Sequence, residues 1–297
     1  MKKYVCFILV ISALLFSCAG TSFAFELFEP WGYVWLYGAN HQTNIERDDF
    51  NSLVGRVEAR IGVDLLPLWA QASLQPYVAY YGVMSSDEHS WNNNGVTGFG
   101  FQVMPLLGVD AVGWLQDLKV YWESVSIQYT GRDESDPIDN PDVLEDTDTR
   151  FGLEIWHKWN QPAQYSVENR QLLWGELWGQ FSFRETNFGY GRFDTYMFYL
   201  QPKFGFYGWM LFNTLSFEPY FKADLVMSGK DFAYQNNIAY GAGLRLRPFH
   251  GGTLFNLDVR ALKEFKLFIE ALAVTYLKDT SEVSHDFRFG FDFSLGR

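Results

Sequence analysis

Apolar and polar residues alternate one by one along many stretches of this chain. In residues 284–297, phenylalanine recurs at every second position from Phe287 to Phe293, and polar residues such as Arg288 lie between. Side chains of a β-strand point alternately to opposite faces, so this spacing predicts a strand with one apolar face and one polar face. Residues 53–64 show the same alternation, which no helix would produce.

The alternation recurs often enough to predict about twelve strands. They are expected at residues 31–40, 53–64, 72–83, 95–105, 117–130, 149–160, 171–184, 194–206, 211–224, 236–248, 254–277 and 284–297. The long stretch 254–277 also permits a turn at its Lys-Glu-Phe segment. That turn would split it in two and make the strand number odd, which would place the two chain ends on opposite sides of a barrel.

Two architectures accommodate many alternating strands. One is a soluble sandwich or barrel; the other is a membrane barrel with apolar side chains outside and polar side chains inside. Aromatic residues make up 19% of the chain, and longer polar connections alternate with shorter ones, which favours the membrane barrel. We predict an all-β transmembrane antiparallel β-barrel of about 12 strands, within a range of about 10 to 14, with both termini periplasmic.

One phrase of nine residues occurs twice. Residues 98–106 read GFGFQVMPL and residues 241–249 read GAGLRLRPF, with the glycines and the proline at identical spacing; a looser copy occupies residues 62–69. Proline has no N–H to give to a sheet, so each copy predicts a strand that ends at Pro105 or Pro248 on the periplasmic side. The paired glycines are expected on the inward face. Generic barrel turns are the alternative explanation.

The first residues have the features of a secretory signal peptide. Two lysines precede an apolar stretch, and small residues at Ser22 and Ala24 suit a signal peptidase. We expect cleavage after Ala24, which removes residues 1–24; a competing cleavage before Cys18 would make a lipoprotein. Residues 25–297 then form a single β-barrel domain of the bacterial outer membrane, and this mature part contains no cysteine.

The charge of the chain excludes one class of partner. The formal net charge is −12, and loss of the two lysines of the signal peptide makes it −14. Nucleic-acid binding depends on Lys and Arg that neutralise phosphates, so an acidic chain is a poor candidate for it. The expected partners are outer-membrane lipid and lipopolysaccharide, the outer-membrane assembly machinery, and a polysaccharide or small solute.

Charged residues of both signs fall on the predicted inward face. The pore-lining candidates are Arg56, Glu58, Arg60, Glu154, Glu176, Arg184, Glu218, Lys222, Arg245, Arg247, Asp258 and Arg260. Such a lining selects a charged or sugar solute in one interpretation. In the other, opposite charges on neighbouring strands satisfy one another inside a narrow barrel. Large inward side chains such as Trp174 and Tyr220 favour a fairly closed lumen as much as an open pore.

Metal binding and catalysis have weak signals. Residues 131–148 are rich in Asp and Glu, but their spacing matches no calcium loop, so a solvated extracellular loop is expected and no metal or cofactor.

The alternative function is an outer-membrane lipid hydrolase or lipid A deacylase-like barrel enzyme. Gln128 and Thr130 stand where such an enzyme would carry a base and a serine, and His157 is expected on the lipid-facing side. We therefore expect no catalysis.

Residues 244–262, LRLRPFHGGTLFNLDVRAL, resemble the C-terminal barrel region of the bacteriophage N4 adsorption protein A family. In that family a strand ending in Arg-Pro-Leu is followed by a turn, Asn-Leu and another strand; here Phe249 replaces the leucine. The resemblance implies an outer-membrane component linked to exopolysaccharide export. The expected function is thus a channel or an envelope-assembly component of the outer membrane.

Overall fold

The structure is a computed structural model. It describes residues 28–43, 50–69, 72–86, 93–105, 117–129, 145–160, 173–186, 193–208, 210–211, 215–230, 235–250, 253–254, 257–258, 262–277 and 283–296. The predicted signal peptide lies outside these residues. Across the described ranges, no helix has the length and apolar character needed to cross a bilayer.

Twelve long strands and three two-residue strands make up the described secondary structure. The long strands are β1 (Phe28–Thr43), β2 (Phe50–Trp69), β3 (Ala72–Ser85), β4 (Asn94–Met104), β5 (Leu118–Tyr129), β6 (Glu145–Trp159), β7 (Leu173–Thr186), β8 (Phe193–Phe206), β10 (Leu215–Ser228), β11 (Asn237–Arg247), β14 (Lys266–Tyr276) and β15 (Val283–Gly296). The short strands are β9 (Met210–Leu211), β12 (Thr253–Leu254) and β13 (Leu257–Asp258).

The twelve long strands close into one antiparallel barrel. Each pairs with the long strand before and after it in the chain, and β15 returns to pair with β1, so that no long strand is left at an edge. The closing register places Tyr33 opposite Gly296 on one side and Arg60 on the other. The predicted all-β antiparallel barrel of about twelve strands is confirmed.

The two ends of the barrel differ in what they contain. One, the terminal end, holds the start of β1 and the end of β15, together with the turns after β2, β4, β6, β8 and β11. The opposite one is the loop end. The even number of strands brings the first and the last strand to the same end, as the alternation predicted.

Side-chain burial is inverted relative to a soluble protein. Phe289 on the outer face is 48% exposed, whereas Glu218 on the inner face is 0% exposed. The outer face therefore presents apolar side chains and the inner face buries charged ones. This is the distribution that a bilayer outside and a polar interior require.

The repeated phrase forms the predicted pair of strands. Residues 98–104 belong to β4 and residues 241–247 to β11; both run towards the terminal end and end just before Pro105 or Pro248. The glycines face inwards, where they leave room for larger groups. A Cβ atom at Gly243 would lie 2.5 Å from Cζ of Tyr220. The looser copy at residues 62–69 lies in β2, where the register with β3 shifts between Leu65 and Trp69.

Two sequence interpretations need correction. The stretch 254–277 was expected to be a barrel strand, but only Lys266–Tyr276 enters the barrel, while β12 and β13 pair with each other in a separate two-stranded sheet. Asp258 therefore lies outside the barrel sheet. The acidic stretch 131–148 was expected to be a loop throughout, but β6 begins at Glu145, and Asp146 and Asp148 are buried.

Candidate lumenal site

Most of the predicted pore-lining residues lie on the inner wall. Seven of them are buried there: Arg60, Glu154, Glu176, Glu218, Lys222, Arg245 and Arg247. Glu58 and Arg184 share that wall and are partly exposed, and Arg56 is exposed. The side chains of Asp258 and Arg260 lie outside the described residues.

Arg60 is the centre of a first ion-pair network, formed by β1 to β6. Its Nη2 atom lies 3.0 Å from Oε2 of Glu154 and 3.2 Å from Oε1 of Glu58, and its Nε atom lies 3.8 Å from Oε1 of Glu123. Lys119 approaches the other oxygen of Glu154 at 3.4 Å. A buried arginine surrounded by carboxylates keeps its charge paired, which offsets the cost of removing it from water.

Tyrosine rings surround the same guanidinium. The Cζ atom of Arg60 lies 5.4 to 5.7 Å from the ring centroids of Tyr33, Tyr77 and Tyr81, within cation–π range. The Tyr77 hydroxyl donates to Oε1 of Glu123 at 2.7 Å, and the Tyr81 hydroxyl also donates to Glu123. The network thus pairs most of the polar groups in its part of the lumen, while Nη1 of Arg60 has no hydrogen-bond partner among the described residues.

Arg245 is the centre of a second network, on the opposite half of the barrel. Its Nη1 donates to Glu176 at 2.7 Å and its Nε donates to Glu218 at 2.7 Å. The guanidinium carbon lies 3.8 Å from the ring centroid of Trp174, which is 1% exposed. Glu218 also accepts from the hydroxyl of Ser216 at 2.6 Å.

The second network continues towards the loop end. Lys222 lies 3.0 Å from both Asp224 and Glu270, and Arg288 lies 3.3 Å from Asp224. Arg288 also contacts Asp286 at 2.6 Å. All these groups are carried by β10, β14 and β15.

Some ion pairs run across the lumen rather than along the wall. Arg60 and Glu154 belong to β2 and β6, which are four positions apart in the barrel; Lys266 and Glu176, on β14 and β7, are also four positions apart and approach to 3.9 Å. Side chains just fill an eight-stranded barrel, and barrel diameter grows with strand number. The long side chains of Arg, Lys and Glu therefore span the lumen between strands that are not neighbours.

Side chains of the turns narrow the terminal end. Glu264, just before β14, lies 3.8 Å from Lys158 at the end of β6 and 3.5 Å from Arg247. Burial would raise the pKa of Glu264, but Lys158, Arg247 and Lys266 outweigh it and hold the pKa below its ordinary value. These contacts connect distant strands at the mouth of the barrel.

His250 and Tyr207 lie in turns at the same end. Burial, with the charge of nearby Arg247, lowers the pKa of His250 to about 4, so its imidazole is neutral at pH 7. The Tyr207 hydroxyl donates to the carbonyl of Asn160 at 2.8 Å, which joins the turn after β8 to the turn after β6. Tyr207 also packs with Trp174 and the ring of Tyr220.

An aromatic patch occupies the inner wall of β6, β7 and β8, between the two networks. Trp156 pairs with Trp178 across β6 and β7, and the rings of Trp178 and Tyr199 have centroids 6.0 Å apart. Lys158 lies over the Trp156 ring at 4.8 Å. Trp178 and Tyr199 are half-buried, and Trp156 is 36% exposed.

The histidine predicted on the lipid-facing side lies on the outer face of β6. His157 Nδ1 is 2.6 Å from Asp117, and its ring stacks on Trp159. A second histidine, His41, lies on the inner face between the hydroxyl of Tyr37 at 3.2 Å and Asp286 at 3.6 Å. Among the described residues, no group of three or more His, Cys, Asp or Glu has an arrangement able to hold a metal ion.

Sequence reasoning did not single out several residues of these networks. Glu123 and Glu270 are buried and central, yet neither was a candidate. Residues 119–129 alternate well enough to place Glu123 on the face of Tyr121, which was an available signal. Glu270 was not identified because the sequence interpretation treated 254–277 as one strand, whereas the barrel strand is Lys266–Tyr276. Trp156 also escaped notice.

Comparison with known proteins finds solved structures of low similarity. No family model matches the chain, and no curated protein matches it by sequence. The structure is similar to an outer membrane channel from Pseudomonas putida F1, at 12% identity and a TM-score of 0.42 over 94% of this chain and 98% of that one. It is also similar to the β domain of the Bordetella autotransporter BrkA, at 13% identity and a TM-score of 0.35 over 90% and 99%.

A third similar structure is a bacterial polysaccharide outer membrane secretin. Its identity is 8% and its TM-score 0.35, over 89% of this chain and 97% of that one. At these identities and TM-scores the likenesses assign no function to this chain, and the barrel fold rests on the strand pairing itself. The resemblance to the N4 adsorption protein A family stays a prediction.

Proposed function

We propose that this protein is an outer-membrane β-barrel that passes a small solute through a narrow, ion-paired lumen without catalysing a reaction. The observation that carries the proposal is the inverted burial in a closed barrel: apolar side chains face outwards and paired charges face inwards. In this proposal residues 1–24 direct export, the longer loops face outwards from the cell, and the passage follows the aromatic patch between the two ion-paired networks.

The inner wall supports passage rather than complete closure. Two networks centred on Arg60 and Arg245 fill opposite parts of the lumen. Between them the aromatic patch retains accessible surface, since Trp156 is 36% exposed on the inner face. A path along this patch would be narrow and would be constricted near the Lys158–Glu264 pair.

Single-channel recording in planar bilayers tests the proposal. The mature protein is refolded into detergent, and its folding is verified by the shift in electrophoretic mobility on heating. Small conductance steps are expected. Glu264→Gln should raise the conductance by about twofold or more, because it weakens a bridge across the mouth.

The matched control is Lys263→Gln, which changes the charge of an exposed neighbour in the same turn. It should leave the conductance unchanged within error. Absence of any step from verified folded protein would overturn the open passage. Recovery of the native protein in a soluble periplasmic extract, rather than in the outer-membrane fraction, would overturn the location.

A further inference from the structure

Trp156 differs from the other exposed large apolar side chains of the long strands in the face of the barrel that it occupies. Among the large apolar side chains exposed on the described long strands, Trp156 is the one that lies on the inner face; the others point outwards. Its orientation follows from its pairing with inward Trp178 and from Lys158 lying over its ring. Accessible surface on an inward tryptophan three residues before the end of β6 means that open space adjoins it inside the terminal mouth of the barrel.

The surroundings of Trp156 combine aromatic faces with neutral amides. Trp178 is paired with Trp156 on one side and with Gln201 on the other, and Gln180 is paired with Tyr199. Both glutamines are half-buried on the inner face. Each carries an amide that donates and accepts hydrogen bonds.

The charges nearest to this patch lie beside charges of opposite sign. Lys203, which neighbours Gln201 on the inner face of β8, lies opposite Glu176 in the strand pair. Glu154 binds Arg60 at 3.0 Å and Glu176 binds Arg245 at 2.7 Å, while Lys158 reaches Glu264 at 3.8 Å. Recruitment of an ionic solute would require one of these pairs to be broken, at the cost of an uncompensated buried charge. The accessible part of the patch therefore suits an uncharged ligand.

We propose that Trp156, Trp178, Tyr199, Gln180 and Gln201 form a binding site for an uncharged saccharide chain. Sugar rings have apolar C–H faces, which pack on aromatic rings, and hydroxyl groups at their edges, which match the glutamine amides. A purely apolar ligand would gain nothing from the amides. This inference rests on the proposed function and names the class of its solute.

Calorimetric titration of the folded protein in detergent tests the site without reference to conductance. The probes are three linear neutral hexasaccharides: maltohexaose, cellohexaose and hexa-N-acetylchitohexaose. At least one should bind saturably. Trp156→Ala should weaken that binding by about tenfold or more, since it removes an accessible aromatic face.

Gln201→Leu provides a second variant that keeps the side chain near its original size. It should also weaken saccharide binding by about fivefold or more, because the amide is lost. The control is Trp122→Ala on the outer face, where the Trp122 ring stacks on Phe101 at 5.6 Å. It should change the affinity by less than about twofold. The heat shift on electrophoresis verifies the folding of each variant.

Two outcomes overturn the proposal. One is the failure of all three hexasaccharides to bind verified folded protein. The other is a preference for an apolar aromatic probe such as naphthalene, with affinity unchanged in Gln201→Leu. Saccharide binding without conductance steps would refute the open passage and leave this site standing, whereas conductance without saccharide binding would do the reverse.

Discussion

Removal of the Arg60 side-chain charge should destabilise the barrel more than removal of any exposed lumenal charge. Arg60 is 3% exposed and lies within 4 Å of three carboxylates, those of Glu58, Glu123 and Glu154. Arg60→Met keeps an unbranched side chain but leaves these carboxylates crowded and without their shared cation. Breaking a buried ion pair by removing one partner costs about 3 to 5 kcal/mol.

The free energy of unfolding in urea, measured after refolding into lipid vesicles, is the quantity to compare. Arg56→Met is the matched control, because Arg56 lies on the same strand and the same face but is exposed. It should change stability by about 0.5 kcal/mol or less. Glu154→Gln combined with Arg60→Met should recover part of the loss, because it removes one of the stranded charges.

The result that would refute this reasoning is an Arg60→Met variant no less stable than Arg56→Met. Equal stabilities would mean that the carboxylates around Arg60 find other partners or protonate at little cost. Strict additivity of the Arg60 and Glu154 substitutions would likewise contradict direct coupling between them, since residues in contact normally couple.

Three other outcomes are expected. Gly243→Ala should lower the free energy of unfolding by about 1 to 3 kcal/mol, because its Cβ would meet the Tyr220 ring, whereas Gly55→Ala, with its nearest neighbour 3.9 Å away, should not. The pKa of His250 is lowered to about 4, so the folded protein keeps this imidazole neutral at pH values where the unfolded chain protonates it. The free energy of unfolding should therefore be unaffected above pH ~6.5 and should fall by at most about 3 kcal/mol as the pH decreases towards 4. His250→Gln should abolish that loss. His157→Ala should leave lipid hydrolysis in mixed micelles at the background rate of the wild type, and a clear wild-type rate lost in the variant would favour the enzyme alternative.

The fold was accessible from the sequence because lipid and lumen impose opposite demands on successive residues. β15 shows this clearly, since Phe289 faces outwards and Arg288 inwards, as the alternation indicated. The same reasoning misplaced residues 254–258. Alternation indicates that a strand has two different environments on its two faces, and a short separate pair of strands such as β12 and β13 also has them. The local pattern does not specify which strand will be the pairing partner.

The candidate site was accessible only in part, for a geometric reason. A period of two tells which face a side chain occupies, so Arg60 and Glu154 were both assigned inwards. It does not tell their relative heights, and it gives no sign that residues 94 positions apart would form a hydrogen bond. Contacts across the lumen depend on the shape of the closed barrel, which the register of all twelve strands sets together.

In the proposed function, the division of the lumen brings binding and passage to the same aromatic wall. Most of the buried charges on the described inner wall are ion-paired, and pairs such as Lys266–Glu176 connect distant strands. A solute that entered there would have to break buried pairs. Along Trp156 and Trp178 the solute contacts aromatic faces. No ion pair has to be broken for it to bind there or to leave. In this proposal the barrel binds and releases an uncharged solute along its aromatic wall, while the ion pairs on either side stabilise the walls of the passage.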